Sequence, residues 1–309
     1  MCICLTNIVN TKNIFLLLLC VPNICSMDIS YVLDDNYVEP VAVSINSLIR
    51  HSKPEDKLNL HIVDLGISFQ NKEKFYKFES SGNRQVSIDF TKFNLSKFDD
   101  LKPSSCGKSV YTRFILQDIF PNLDRLIFID GDTVITDSLS ELWNFNIKGK
   151  YWAGSYHSWG PSRCSAVMLL DLKSFRANKL GSSLIDATKR RQKISYCNEE
   201  YALNGLGRSK VGILPFRYNM HVAFTEYTRT KNINGNQKMI NDEIPNTVIW
   251  HYSSTYKPWK IERHIFEMVC PVGPYDLWHE EFNALPGCWH EKDIEYFAID
   301  YESEDYDEC

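Results

Sequence analysis

Leu126-Ile127-Phe128-Ile129-Asp130-Gly131-Asp132-Thr133-Val134 is the stretch on which the fold turns. An apolar strand ends there in two aspartates one residue apart. In open α/β sheets, ligands bind beyond the carboxyl ends of strands. Two carboxylates at such an end present oxygens to a hard divalent cation, Mg2+ or Mn2+. Gly131 lets the backbone approach closely. Taken alone, Asp-Gly-Asp also reads as an ordinary polar turn after a strand.

The flanking sequence alternates strands and helices. Asp28–Leu33 opens the body as a strand, and Val38–Arg50 is a helix with Val41, Ile45 and Leu48 at helical spacing. Lys57–Asp64 and Val86–Phe90 read as strands, with a helix at Asn71–Phe78 between them. Ser109–Ile119 reads as a helix closed by Pro121. Arg125–Ile129, Trp152–Tyr156 and Val167–Leu172 continue the strands. This order predicts α/β units on a mostly parallel sheet with helices on both faces. After Tyr218 the pattern is irregular and rich in aromatics, His and Pro, which predicts loops wrapping one face of a single domain.

Composition bounds the function. The 309 residues are 44% apolar and 24% charged, the balance of an ordinary globular chain, which excludes wholesale disorder, collagen and coiled coil. Net charge is −5, but nine acidic residues and one Lys lie in 291–309. The rest carries 33 basic and 30 acidic residues, far from the basic excess of a nucleic-acid binder. Three segments follow: a leader over 1–26, a body over 27–290, and an acidic, solvated tail over 291–309.

The leader resembles a secretory signal, with Lys12, the apolar run Ile14–Val21 and a small residue at Ser26. The run is short of the ~20 residues that span a bilayer. This predicts a mature chain in the endoplasmic reticulum or Golgi lumen, or secreted. Six Cys follow the leader: Cys106, Cys164, Cys197, Cys270, Cys288 and Cys309. In an exported protein an even number suggests disulfides, whose pairing sequence does not choose. No CxxC pair is present to indicate a zinc ribbon.

A second feature lies far downstream. His251-Tyr-Ser-Ser-Thr-Tyr-Lys257-Pro258-Trp259 follows the strand-like Val248-Ile249-Trp250. A neutral His is a borderline ligand suited to Mn2+. Lys257 can neutralise a phosphate as a point charge.

With these elements in order, the chain resembles glycosyltransferase family 8 from about Met27 to Lys260. The elements are Asp34-Asp35-Asn36-Tyr37, Tyr111-Thr-Arg113, the Asp130/Asp132 pair, Asp137-Ser-Leu-x-x-Leu-Trp143, Val167-Met-Leu-Leu-Asp-Leu172, Leu203-Asn204 and His251 through Trp259. The resemblance implies a GT-A fold, a Rossmann-like nucleotide-diphospho-sugar transferase sheet. It implies a UDP-sugar donor, Mn2+ and retention of anomeric configuration. It places Asp130, Asp132 and His251 on the metal and Lys257 beside the diphosphate. Asp34, Asn36 and Tyr37 match positions that cradle uridine and ribose, and Arg113 one near the donor sugar and diphosphate. Glu199 and Glu200 fall where the family usually carries Asp-Gln flanking the donor sugar. A glutamate at 200 then sits near the anomeric carbon, as a stabiliser of positive charge or a nucleophile. The local alternative is a charged helix start capped by Asn198.

Two departures accompany the resemblance. Cys164-Ser165-Ala166 stands where the family usually has Asn-Ala-Gly or Asn-Ser-Gly, and Ser254 stands where it has Gly. They define a second reading, a catalytically silent relative that binds a nucleotide-sugar or glycan. A third, a haloacid-dehalogenase-type phosphohydrolase, fits Asp130-x-Asp132-x-Val134 but leaves His251–Trp259 unexplained. In the leading reading the acceptor is a glycan, a lipid-linked sugar or a protein. Trp250, Tyr252, Tyr256 and Trp259 are candidates to line its groove or to pack the core.

Overall fold

The structure, a computed structural model, describes residues 25–290 apart from 81–83, 105, 158–161, 192–197, 208, 223–236, 254 and 271–272. Residues 1–24 of the leader, the acidic tail, Cys197 and Ser254 lie outside the described residues.

The sheet follows from the apolar strands. β1 (Ser26–Leu33), β2 (Lys57–Asp64), β3 (Gln85–Lys92), β4 (Arg125–Ile129), β6 (Trp152–Ser155), β7 (Val167–Asp171) and β8 (Val211–Leu214) form one sheet in the order β3-β2-β1-β4-β7-β6-β8. All ladders are parallel except those of β7, which runs against β4 and β6. Successive side chains alternate faces. Ile127 and Ile129 of β4 join the core under α1 (Val38–His51), while Leu126 and Phe128 join the opposite core. That second core is built on α5 (Leu172–Ala177), α6 (Leu180–Arg190) and α7 (Asn198–Asn204). Helices therefore cover both faces, as expected.

A second sheet decides where the site forms. β5 (Thr133–Ile135) begins one residue after Asp132 and pairs antiparallel with β10 (Ile249–His251). β10 in turn pairs parallel with β9 (Met220–His221). Arg125–Ile129 is a strand as expected, and β5 is an additional strand that enters a different sheet after Asp-Gly-Asp.

Two expectations are corrected. Ser109–Ile119 is not one helix: Ser109–Phe114 is a 3-10 helix, and a short α-helix, Leu116–Ile119, follows. The β-branched Val110, Thr112 and Ile115 weaken helix preference there. The region after Tyr218 is not merely loops. It holds β9, β10 and helices Gln237–Glu243, Arg263–Val269 and Tyr275–Asn283. The last buries Trp278 and Glu281, and Glu281 takes Arg50 at 2.9 Å from α1. Short helices with few apolar residues escape periodicity arguments. Among the described residues no helix is long and apolar enough to cross a membrane. Among the described residues, Cys25, Cys164 and Cys288 are free thiols.

Candidate active site

β4 carries Asp130 and Asp132 out beyond the sheet. The β5–β10 ladder then brings His251 opposite Thr133, and the Tyr252 amide donates to the Asp132 carbonyl at 2.9 Å. This register joins residues 118 positions apart in sequence at the strand end. Asp130, Asp132 and His251 each offer a ligand atom, all within 4.8 Å of one another. Two carboxylates and an imidazole are a donor set that fits a divalent ion such as Mn2+.

Two cations serve the pair. Lys257 Nζ lies 2.6 Å from Asp132 Oδ2, and it also donates to the Tyr252 carbonyl. Arg113, buried on the 3-10 helix and packed 4.8 Å over the Phe128 ring, donates to Asp130 Oδ1. Burial pushes the Asp130 carboxyl up, against Arg113 and with Asp132 adding to the rise. Asp132 is buried too, yet Lys257 and His251 hold its carboxyl well below the ordinary range. Burial, with Asp132 and Asp130 facing it, pushes the Tyr37 phenol far up, so its hydroxyl stays a proton donor.

Gly131 is required by packing rather than by room for a ligand. A Cβ there would meet Val41 Cγ2 at 2.4 Å and Tyr37 Cδ1 at 3.0 Å. Tyr37 itself is held edge-on to Trp259, at 6.4 Å between ring centres. Asp34 and Asn36 share this loop at the end of β1. Asp34 caps the turn, accepting from the Asn36 amide at 3.0 Å, and Asn36 is exposed. Asp35 fastens the loop to α2 (Phe69–Tyr76), accepting from Ser68 N at 2.8 Å and Asn71 Nδ2 at 2.9 Å.

Arg113 also links the aspartates to α7, with Glu199 Oε1 at 3.8 Å from its second nitrogen. Burial lifts Glu199 to about 7, against the pull of Arg113 and with Glu200 adding. Glu200 is buried too but is pinned. Its carboxylate accepts from Ser165 N at 2.7 Å and from His157 Nε2, and these contacts hold it below the ordinary range despite burial. The two adjacent glutamates thus differ in proton affinity, the usual condition for separate chemical roles.

Three residues at the site carried no sequence signal. Asn219 Oδ1 accepts from His251 Nδ1 at 2.9 Å, which turns Nε2 toward Asp132 at 3.4 Å. An outer partner of this kind fixes the tautomer of a ligating histidine. His157 holds Glu200, and His221 packs 4.7 Å from the His251 ring. Each is an isolated polar residue whose partner is set by the fold. Of the aromatic candidates, Tyr252 is core, bonded to the Pro274 carbonyl at 2.9 Å. Trp250 and Trp259 are half-buried against the core, and Tyr256 is exposed.

The site is thus a carboxylate pair, a histidine and a lysine at one strand end of a doubly covered α/β sheet, and comparison with known proteins gives its class. Residues 28–262 match the glycosyl transferase family 8 model, and the chain belongs to that family. A putative glycosyltransferase of Haemophilus influenzae is 24% identical over 295 residues, covering 84% of each chain. A lipopolysaccharide 1,2-glucosyltransferase of Escherichia coli is 26% identical over 264 residues, covering 76% of this chain and 73% of its own. An active-site glutamine-to-glutamate variant of LgtC superposes with a TM-score of 0.71 at 20% identity, over 85% of this chain and 99% of that one. The galactosyltransferase LgtC with donor and acceptor sugar analogues gives 0.68 at 21%, with the same coverage. The GT-A fold expected from the sequence is the fold observed.

Proposed function

We propose that this chain moves a hexose or pentose from a UDP-sugar to a glycan, lipid-linked or protein acceptor, with Mn2+ or Mg2+ and with retention of anomeric configuration. The observation that carries this reading is the convergence of Asp130, Asp132, His251 and Lys257 at the end of β4. Asp130, Asp132 and His251 would hold the ion, whose chemistry when bound is Lewis-acid neutralisation of a departing diphosphate. Lys257 contributes a second positive group at the same place. Tyr37, on the loop with Asp34 and Asn36, faces the aspartates and is suited to the nucleoside. Arg113 orients Asp130 and Glu199 together. Glu200, ionised and fixed by two bonds, is suited to face positive charge growing at an anomeric carbon. The leader over 1–26 supports delivery of the body, residues 27–290, into the secretory pathway.

The test is UDP release from a panel of UDP-sugars, with Mn2+ or with EDTA. Release from one sugar that stops with EDTA and in Asp132→Ala supports the reading and names the donor. Donor binding without any release, in the presence of candidate acceptors, replaces it with a silent nucleotide-sugar-binding role, which the Cys164 departure favours.

A further inference from the structure

Beside the aspartate pair lies a second group of metal-ligating side chains. His157, Cys164 and His221 are all buried, and each offers a ligand atom within 4.8 Å of the others. We propose that these three residues form a second metal site, distinct from the aspartate pair, for a soft or borderline divalent ion of the zinc type. This inference rests on their geometry and not on the transfer reaction.

The ligands stand on hydrogen-bonded backbone. His157 N donates to the Ser162 carbonyl at 2.8 Å, and Cys164 N to the Ser155 carbonyl at 2.9 Å, so one hairpin brings His157 and Cys164 side by side. His221 is fixed in β9 by its ladder to β10. Tetrahedral zinc with ordinary Zn–N and Zn–S bonds needs ligand separations of about 3.4–3.6 Å. The cluster therefore closes on an ion by about 1 Å, within the reach of small side-chain rotations.

The outer contacts are those of a ligand set. His157 Nε2 is engaged by the Glu200 carboxylate, and Nδ1 is the ring nitrogen proposed to meet the ion. His221 Nδ1 lies 2.9 Å from Ser253 Oγ, so its ligand atom is Nε2. Carboxylate and hydroxyl acceptors on the far nitrogens fix tautomer and ring orientation in metal-bound histidines. Asn219 Nδ2 sits 3.2 Å from His221 Nε2, and an ion takes its place at that lone pair. Binding releases the Cys164 thiol proton to solvent and leaves a thiolate–metal bond.

Ligand chemistry separates the two sites. Two oxygens and one nitrogen select a hard ion at Asp130, Asp132 and His251, whereas two nitrogens and a sulfur select zinc over manganese. The zinc-type ion fixes the His157 ring and, through it, Glu200. With three protein ligands its fourth position is open.

The experiment uses the full chain and reads metal content and colour, not turnover. Zinc is measured after gel filtration, and the metal-free protein is titrated with Co2+. The expected result is one tightly held zinc per chain and a near-ultraviolet thiolate-to-cobalt charge-transfer band. Cys164→Ser should abolish the band and weaken zinc binding by at least about tenfold. Asp132→Asn should leave both intact. Absence of the band in the unaltered protein overturns the proposal, whatever the variants do. So does a band that survives Cys164→Ser or disappears in Asp132→Asn. Circular dichroism of Cys164→Ser separates a lost ligand from a lost fold.

Discussion

Gly131→Ala tests whether the aspartate pair is positioned by packing on α1. The new methyl would lie 2.4 Å from Val41 Cγ2, where carbons normally rest ~3.5–4.0 Å apart. Val41 is fully buried and β-branched, so its side chain has little freedom to turn away. Tyr37 Cδ1, at 3.0 Å, closes the other side. Replacing glycine also restricts the unfolded chain, a gain of about 0.4–1 kcal/mol. Overpacking of about 1–3 kcal/mol outweighs that gain. A net loss near 1 kcal/mol lowers Tm by about 2–4 °C in a domain of this size. The loop must then shift, which moves Asp130 and Asp132 relative to His251 and weakens Mn2+ binding. The assay is a double-mutant cycle with Val41→Ala, following denaturant unfolding and Mn2+ titration in all four proteins. The double variant should be more stable than additivity predicts by about 1 kcal/mol. Additivity within about 0.5 kcal/mol, or unchanged stability in Gly131→Ala, would refute the packing argument.

Asp132→Asn should keep the fold, as seen by circular dichroism, and remove Mn2+-dependent UDP release. Glu200→Gln should lower kcat more than it raises KM, because the group is argued to act at the reacting centre; a pure KM effect assigns it to ground-state binding. His61 tests pH linkage away from the site. Burial pulls its pKa down, but Asp28 at 3.0 Å and Asp89 at 2.6 Å push it up to about 9. The raised folded-state pKa adds stability that is complete below pH 6.5 and is lost as pH rises through about 9. Unfolding curves for His61→Gln should lack this decline.

The strands and the long helix α1 were legible because apolar residues repeat at the right spacing. Asp130, Asp132, His251 and Lys257 were legible by type and order, but what assembles them is register. Thr133 pairs with His251 only because β5 turns into the small sheet, and no local pattern announces that pairing. Gly131 in sequence signals only a close approach of the backbone, and the structure shows what approaches it, Val41 from a helix ninety residues earlier. Glu200 showed its charge but not its partner. His157, Asn219 and His221 showed nothing, since an isolated polar residue has meaning only beside the group it contacts.

The charge balance at the site makes a last prediction. Asp130, Asp132, Glu199 and Glu200 converge there, and the ion pairs set Arg113 and Lys257 against them. A diphosphate entering such a pocket meets like charge. Lys257 can turn toward it only by leaving Asp132, a buried carboxylate that relies on that cation. Stranding one partner of a buried pair costs about 3–5 kcal/mol. A divalent ion on Asp130, Asp132 and His251 removes the conflict, because it neutralises the carboxylate while Lys257 moves. UDP affinity should therefore fall at least ~100-fold when Mn2+ is replaced by EDTA, about 2.7 kcal/mol. In Asp132→Asn, which needs no cation at that position, the dependence on metal should shrink. Calorimetric titration of UDP into both proteins decides it. Equal affinity with and without metal in the unaltered chain would mean that Lys257 alone satisfies both anions, and the electrostatic case for an ion at this site would fail.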